Sequence, residues 1–127
     1  MGFTTPCFIR KNTQELRRGL EELGYKMLSP IEYDNLECSD NWVNDIKSLN
    51  DCNGFDCGTN EELFLAIAAL RDDTDKYQWF TDGDKWILCP KTKFSTYWVY
   101  YHIDVNTDTV HKATVNELIE HFKTKEE

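Results

Sequence analysis

One cysteine stands where a helix is predicted to begin, and this residue type can act as a nucleophile. Cys57 lies in the run FDCGTNEE, just ahead of a segment with strong helical character. Unpaired N–H groups and the helix dipole stabilise a thiolate at such a position, which is how many reactive cysteines are activated. His102 or His111 would serve as the base, and Asp104 would orient it. These residues define a small thiol-dependent enzyme centred on Cys57.

The residues next to Cys57 oppose this chemistry. Asp56, Glu61 and Glu62 place negative charge beside the thiol, which raises its pKa and lowers the fraction of thiolate. The sequence around Cys57 also carries none of the local signatures of known cysteine nucleophiles. A non-enzymatic protein-interaction or regulatory module is therefore the leading interpretation, and the thiol enzyme is its alternative.

Other residues with metal-binding chemistry do not form a recognisable pattern. Cys38, Cys52 and Cys57 with a histidine would offer zinc donors, but the Cys-x4-Cys spacing is looser than that of paired zinc thiolates. The acidic run IEYDNLECSDNWVND lacks the alternating ligands and the glycine of a calcium-binding loop. Phosphate-binding, dinucleotide-binding and serine-hydrolase motifs are also absent from the sequence. We therefore predict no metal site and no cofactor.

The composition predicts one acidic domain of residues 1–127. The chain has 23 Asp and Glu against 14 Lys and Arg, a net charge of −9. This charge opposes binding to nucleic acid or an anionic membrane and favours a partner with a basic surface. The sequence has neither a signal-peptide layout nor an apolar run long enough to span a bilayer, so we expect a cytoplasmic protein with reduced cysteines.

The elements that would position these residues begin with a strand, a helix and a second strand. Residues 5–10 predict the first strand. Asn12 or Thr13 is expected to cap the helix, and Gly24 to end it. Residues 25–28 then predict the second strand. These signals are local, so they do not say whether the two strands are neighbours.

The segment of residues 54–70 predicts a short apolar approach followed by the central helix of the core, residues 59–70. Thr59 is expected to cap this helix, with Glu62 completing a capping box three residues later. The last helix repeats the device with Thr114 and Glu117. We expect the rest of the chain to pack around the central helix.

Aromatic and β-branched residues in the second half predict an antiparallel meander. Its strands are residues 77–81, 85–89 and 95–104, and the first two flank the turn Asp82-Gly83-Asp84. A brief strand is expected at residues 110–112. The predicted fold class is α+β, with a mostly antiparallel sheet built on this meander and extended by the N-terminal strands, and about three helices mainly on one face. The tail at residues 123–127 is expected to fray.

Residues 30–53 interrupt this regular pattern and predict an irregular acidic insertion. A short helix over residues 40–49 would bury Trp42 on its apolar stripe. Long irregular connections often carry function, so this insertion is a candidate surface for a basic protein partner. Its contact residues would be Asp34, Glu37, Asp40, Trp42 and Asp45. The alternative is a solvated connector held in place by Trp42.

The meander strands supply the other candidate surface. Its aromatic residues are Trp79, Trp86, Tyr97, Trp98, Tyr100 and Tyr101. On a covered sheet face they would be core, and on an exposed face they would form an interaction patch. Stacking on single-stranded nucleic acid would also need a basic groove, which this acidic region does not predict.

The two ends of the sequence resemble a group of small proteins. The runs TTPCFIRKNTQELRRGLEELGYK and KATVNELIEHF are similar to small uncharacterised proteins of gut Bacteroidetes and their mobile elements. The resemblance implies no activity, cofactor or site residue. It agrees with a cytoplasmic accessory protein associated with a phage or plasmid.

Overall fold

The computed structural model describes residues 3–27, 33–39, 41–46, 54–95 and 105–123. Within these ranges the chain forms eight strands and three helices, which confirms the predicted α+β class. The elements are β1 (Cys7–Ile9), α1 (Gln14–Leu23), β2 (Lys26–Met27), β3 (Asn35–Ser39), β4 (Trp42–Ile46), β5 (Phe55–Asp56), α2 (Glu61–Ala68), β6 (Trp79–Thr81), β7 (Trp86–Leu88), β8 (His111–Lys112) and α3 (Val115–Lys123).

The larger sheet has five strands in the order β2-β4-β3-β1-β5. β1 pairs antiparallel with β3 and parallel with β5, while β4 pairs antiparallel with β3 and parallel with β2. The sheet is therefore mixed. Side chains of one face enter the main core, among them Ile9, Leu36 and Val43. The first strand of the chain thus lies inside the sheet, between two strands that follow it in sequence.

The hairpin of β3 and β4 corrects the prediction for residues 30–53. A helix over residues 40–49 is wrong, and Trp42 is 42% exposed instead of buried. Val43 and Ile46 are β-branched, so they fit a pleated strand better than a helix. Pairing with β3 then places Val43 opposite Cys38 in the core. In its described part the stretch is ordered sheet and not an irregular insertion.

Two of the three helix starts follow their predicted caps. Thr13 Oγ1 accepts the Leu16 N–H at 3.2 Å to begin α1, and Gly24 ends that helix with φ 116°. At α3, Thr114 and Glu117 form the reciprocal capping box, with bonds of 3.2 Å and 2.9 Å. The box prediction for α3 and the cap predictions for α1 are confirmed.

The start of α2 differs from its prediction by one residue. Asn60, and not Thr59, is the cap, and its Oδ1 accepts the Leu63 N–H at 3.0 Å. The buried Asn60 amide also donates to the Phe122 carbonyl of α3 at 2.9 Å. Asparagine has separate carbonyl and amide groups, so one can cap α2 while the other reaches α3. The single hydroxyl of a threonine does not offer two such groups.

The central position of the predicted helix is confirmed by α2. Phe64, Ile67 and Ala68 are fully buried. α2 packs against β1, α1 and α3, so it connects the larger sheet to both other helices. The main core is therefore built around this helix, as its apolar sequence predicts.

The smaller sheet has the order β7-β6-β8, and all its pairs are antiparallel. The turn between β6 and β7 contains Gly83 with φ 106°, which confirms the predicted hairpin. The predicted extension of this sheet by the N-terminal strands is wrong, because β1 is paired on both sides within the larger sheet. Nearly all of the predicted strand at residues 95–104 lies outside the described residues, as do residues 124–127 of the tail.

The two faces of the smaller sheet have different partners. Phe80 and Ile87 enter a second small core with Cys89 and Phe94. On the opposite face the Trp79 and Trp86 rings pack edge-on against Phe122 of α3, with centroids 5.6 and 6.4 Å away. These two members of the predicted aromatic strip are therefore packed against a helix.

Candidate functional site

Cys57 lies in the connection between β5 and α2. It precedes the Asn60 cap by three residues, and its own N–H donates to the Phe8 carbonyl at 2.9 Å. Its backbone therefore extends the ladder between β1 and β5 instead of occupying the first turn of the helix. The unpaired N–H groups that would stabilise a thiolate belong to residues further along the chain.

Three buried thiols meet beside β1. Cys7 pairs with Cys38 across β1 and β3, and it also interacts with the Cys57 side chain. The interaction with the Cys38 thiol, together with burial, raises the pKa of Cys7 well above its ordinary value. The interaction with the Cys7 thiol is the largest cause of the raised pKa of Cys57, and burial raises that pKa further. The raised pKa values keep the Cys7 and Cys57 thiols protonated at neutral pH, and all three buried side chains pack as small apolar groups.

The His111 ring, one of the two bases considered for Cys57, is held by other partners. Its Nδ1 lies 2.9 Å from the Thr109 carbonyl oxygen, and its Nε2 lies 3.0 Å from both carboxylate oxygens of Glu117. The hydrogen bond to Thr109, followed by that to Glu117, raises the pKa of His111. Both ring nitrogens therefore face oxygen atoms of Thr109 and Glu117, and neither is directed at the Cys57 thiol. The other proposed partners of Cys57, His102 and Asp104, lie outside the described residues.

Metal donors do not converge in the part of the chain that the structure describes. Within those ranges, no group of three or more His, Cys, Asp or Glu residues has the arrangement of a metal site. Cys52, one of the thiols considered for zinc, lies outside them.

The residues predicted for partner binding do not form a single surface. Glu37 is opposite Asn44 and Leu36 is opposite Asp45, so the sheet pleat puts Glu37 and Asp45 on different faces. Asp45 also accepts the Tyr33 N–H at 3.2 Å. Trp42 shares a face with Glu37, Asp34 is exposed beyond the strand end, and Asp40 lies outside the described residues.

A concave apolar surface lies between α1, α2 and the smaller sheet, and we call it the helix–sheet groove. Its volume is about 280 Å³. Its lining residues come from four separate parts of the chain: Gly19, Glu22, Leu23, Glu62, Leu65, Ala66, Tyr77, Trp79, Leu88 and Phe122. Most of these side chains are apolar, and the two carboxylates come from different helices.

Glycine shapes the helical wall of the groove. A Cβ at Gly19 would lie 3.3 Å from Leu65 Cδ2, so the missing side chain lets α1 approach α2 closely. Leu65 and Ala66 of α2 line the groove beside this crossing. The opposite wall is the Trp79 and Leu88 pair of β6 and β7, which are directly opposite in register.

Tyr77 lines the groove from a strained backbone. Its φ is +68°, the one positive value among the non-glycine residues that the structure describes. Its N–H donates to the Cys89 carbonyl at 2.8 Å, and the next residue, Gln78, is completely buried. A left-handed conformation costs a non-glycine residue about 1–2 kcal/mol. The fold therefore holds this ring at the groove at some expense in stability.

The chain matches no protein-family model, no curated protein and no solved structure. The resemblance of the two chain ends to proteins of gut Bacteroidetes stays a prediction. Among the described helices, none is both long and apolar enough to cross a membrane. The groove and the side chains around it are the features that bear on function.

Sequence patterns indicate only part of the groove. Tyr77 and Trp79 fall in a predicted strand, and Leu65 and Ala66 fall in the predicted central helix. The further sequence signal for the groove is Leu88. It is an apolar residue that alternates with a core residue in β7, and in the structure 47% of its surface is exposed. Strand periodicity identifies the face of Leu88, but it does not identify the helices that stand beside that face.

Proposed function

We propose that the protein is a non-enzymatic, cytoplasmic protein-interaction module that binds its partner in the helix–sheet groove. The exposed apolar side chains at the groove carry this proposal. Leu88 is 47% exposed and Tyr77 is 37% exposed, although both stand beside the main core. Covering apolar surface yields about 25 cal/mol per Å², so a partner side chain seated here would gain affinity from both.

The strain at Tyr77 supports the same proposal. Residues in unfavourable backbone conformations cluster at binding sites, where a required side-chain position outweighs the local cost. Aromatic side chains on a rigid wall are also the common anchors of protein interfaces. Trp79 provides a second aromatic surface, fixed by its edge-on contact with Phe122.

The surroundings of the cysteines support a role without catalysis. A nucleophilic cysteine needs a low pKa and contact with solvent, whereas Cys57 is buried with a raised pKa. The candidate base His111 is occupied by Thr109 and Glu117. Both properties oppose the alternative of a thiol-dependent enzyme.

The hairpin of β3 and β4 is the second candidate surface. Trp42 is exposed there, and the Lys26 ammonium lies 5.7 Å from the centroid of its ring. Glu37 shares this face of the sheet. An exposed tryptophan near a carboxylate suits a basic partner surface, which is the kind of partner predicted from the charge of the chain.

Site-specific photo-crosslinking tests the proposal and separates the two surfaces. Three variants carry p-benzoylphenylalanine in place of Leu88, Trp42 or Asp108, and each is irradiated in a lysate of the native host. Asp108 is exposed and is not part of the groove lining, so it reports non-specific capture. We expect one discrete protein adduct from position 88 that is absent from position 108.

The adduct pattern decides between the surfaces. A discrete adduct from position 42 alone would transfer the binding surface to the hairpin. Equal adducts from positions 88 and 108, or none from either 88 or 42, would refute the interaction module. An excess of purified unlabelled protein should abolish a genuine adduct, since it competes for the same partner.

A further inference from the structure

We infer that the helix–sheet groove receives one bulky apolar side chain of the partner, flanked in the partner's sequence by lysine or arginine. This inference rests on the proposed function and names the chemistry of the segment bound. It follows from the size of the groove, from its two walls and from the charge at its rim.

The size of the groove favours a side chain over a cofactor. Its volume of about 280 Å³ lies at the small end of the range of about 300–1,000 Å³ typical of ligand pockets, which suits one bulky side chain. Leu65 and Ala66 form an aliphatic wall, and Trp79 forms an aromatic one. A leucine or aromatic side chain inserted between these walls would be covered on both sides.

The charge of the groove favours basic residues next to that side chain. Glu22 of α1 and Glu62 of α2 both line the groove and are exposed to solvent, and the ten lining residues include no Lys or Arg. The Lys76 ammonium lies 5.0 Å from the centroid of the Tyr77 ring, so the chain's own cation already occupies that ring and a partner's basic residue would face the helical rim at Glu22 instead. The net charge of −9 would also steer a basic segment toward the protein.

Three capped peptides test this chemistry: Ala-Lys-Leu-Lys-Ala, Ala-Glu-Leu-Glu-Ala and Ala-Lys-Ser-Lys-Ala. Binding is followed by NMR through the methyl signals of Leu65, Ala66 and Leu88, which lie in the groove. We expect the lysine–leucine peptide to bind about tenfold more tightly than either of the others, because it alone has both the charge and the apolar side chain.

Adjacent glutamates on α1 provide a matched pair of protein variants. Glu22→Lys and Glu21→Lys change the net charge equally, but only Glu22 lines the groove. We expect Glu22→Lys to abolish the preference for lysine-flanked peptides and Glu21→Lys to change it less than about twofold, because contact charges matter more than distant screened ones. Equal effects of the two variants would show general attraction to an acidic protein and would overturn the inference.

A second variant tests the contribution of the Tyr77 ring and is expected to fold. Tyr77→Gly removes the ring and relieves the left-handed backbone, so we expect unchanged or higher stability together with weaker peptide binding. Unchanged affinity for the lysine–leucine peptide would contradict binding of its leucine side chain beside Tyr77.

The peptide experiments can refute the basic–apolar segment without refuting the interaction module. Equal affinity for the lysine and glutamate peptides, or no methyl shift with any peptide, would refute the basic–apolar segment. An adduct at position 88 in the crosslinking experiment would still support the interaction module in that case.

Discussion

Buried polar residues at single positions hold the ends of several elements. Gln78 is completely buried, and its Nε2 donates to the carbonyls of Arg71 and Thr74. Asn60 likewise joins the start of α2 to the Phe122 carbonyl of α3. An apolar replacement of Gln78 would remove a donor from the Thr74 carbonyl, and one of Asn60 would remove a donor from the Phe122 carbonyl. A buried group that loses its donor costs more than the lost hydrogen bond itself. These two amides thereby fix the loop before Tyr77 and the helix pair beside the groove.

His111 makes stability depend on pH. Its pKa is raised in the folded protein by Thr109 and Glu117, so its contribution is complete below the unfolded value of about 6.5 and is lost as pH rises through the folded pKa. We expect wild type to exceed His111→Gln in unfolding free energy at pH 5.5 by less than about 1 kcal/mol, because the pair is exposed.

The difference between the His111 proteins should shrink toward pH 9. Urea unfolding of both proteins from pH 5.5 to pH 9 measures it, and the glutamine variant removes the charge while keeping hydrogen-bonding groups. A difference that is constant with pH would show that the ring acts through packing alone.

The elements with local signals were predictable, and those that depend on distant partners were not. Thr13 and Gly24 define both ends of α1, and the turn at Gly83 defines the hairpin of β6 and β7. By contrast, the spacing of Trp42, Val43 and Ile46 fits a helical stripe, whereas the β-branched side chains of Val43 and Ile46 favour a strand. Pairing of β3 with both β1 and β4 decides between them, and this pairing involves residues far apart in sequence.

Gly54 lets β5 lie against β1. A Cβ there would lie 2.5–2.6 Å from backbone atoms of Pro6 and Cys7, which cannot move aside as a side chain would. We expect Gly54→Ala to lower the unfolding free energy by about 3 kcal/mol, the upper end of the usual cost of overpacking, because the clash is with backbone atoms.

The matched control for Gly54 is Gly58→Ala, because a Cβ at Gly58 has nothing within 4 Å and its φ is 61°. That variant should lose only about 1 kcal/mol through backbone strain. Urea unfolding compares them, and a Gly54→Ala protein at least as stable as Gly58→Ala would refute the close approach.

The groove belongs to the whole molecule. Its lining extends from Gly19 to Phe122 and includes three helices and the smaller sheet. Sequence patterns identify most of the contributing elements, but not the angle at which α1 and α2 stand beside β7. Cys57, the nucleophile considered from sequence, precedes a helix, but no sequence pattern indicates its burial beside β1.

The thiols report on global unfolding, since they lie inside the main core. Cys7, Cys38 and Cys57 are at most 5% exposed. In a Cys52→Ser protein at pH 8, we expect a water-soluble thiol reagent to modify these three residues at least about 100-fold more slowly than in the urea-unfolded chain, because exposure requires opening of the core.

Mass spectrometry of the modified peptides assigns each thiol, and Cys52→Ser removes the cysteine outside the described residues. Protection of Cys7, Cys38 and Cys57 should disappear together as urea unfolds the protein. Rapid modification of Cys57 in the native protein would contradict its burial and restore the thiol enzyme as a candidate.

The inner position of β1 has a consequence for synthesis on the ribosome. This strand emerges before its partners, which are residues 36–38 on one side and residues 55–56 on the other. Just before it, the Thr4 N–H donates to the Leu70 carbonyl at 3.0 Å, and Phe3 bridges to Arg71. β1 therefore cannot complete its pairing until residue 56 has been made, and the residues just before it cannot dock until Leu70 has followed. The strand is made before all the partners that enclose it.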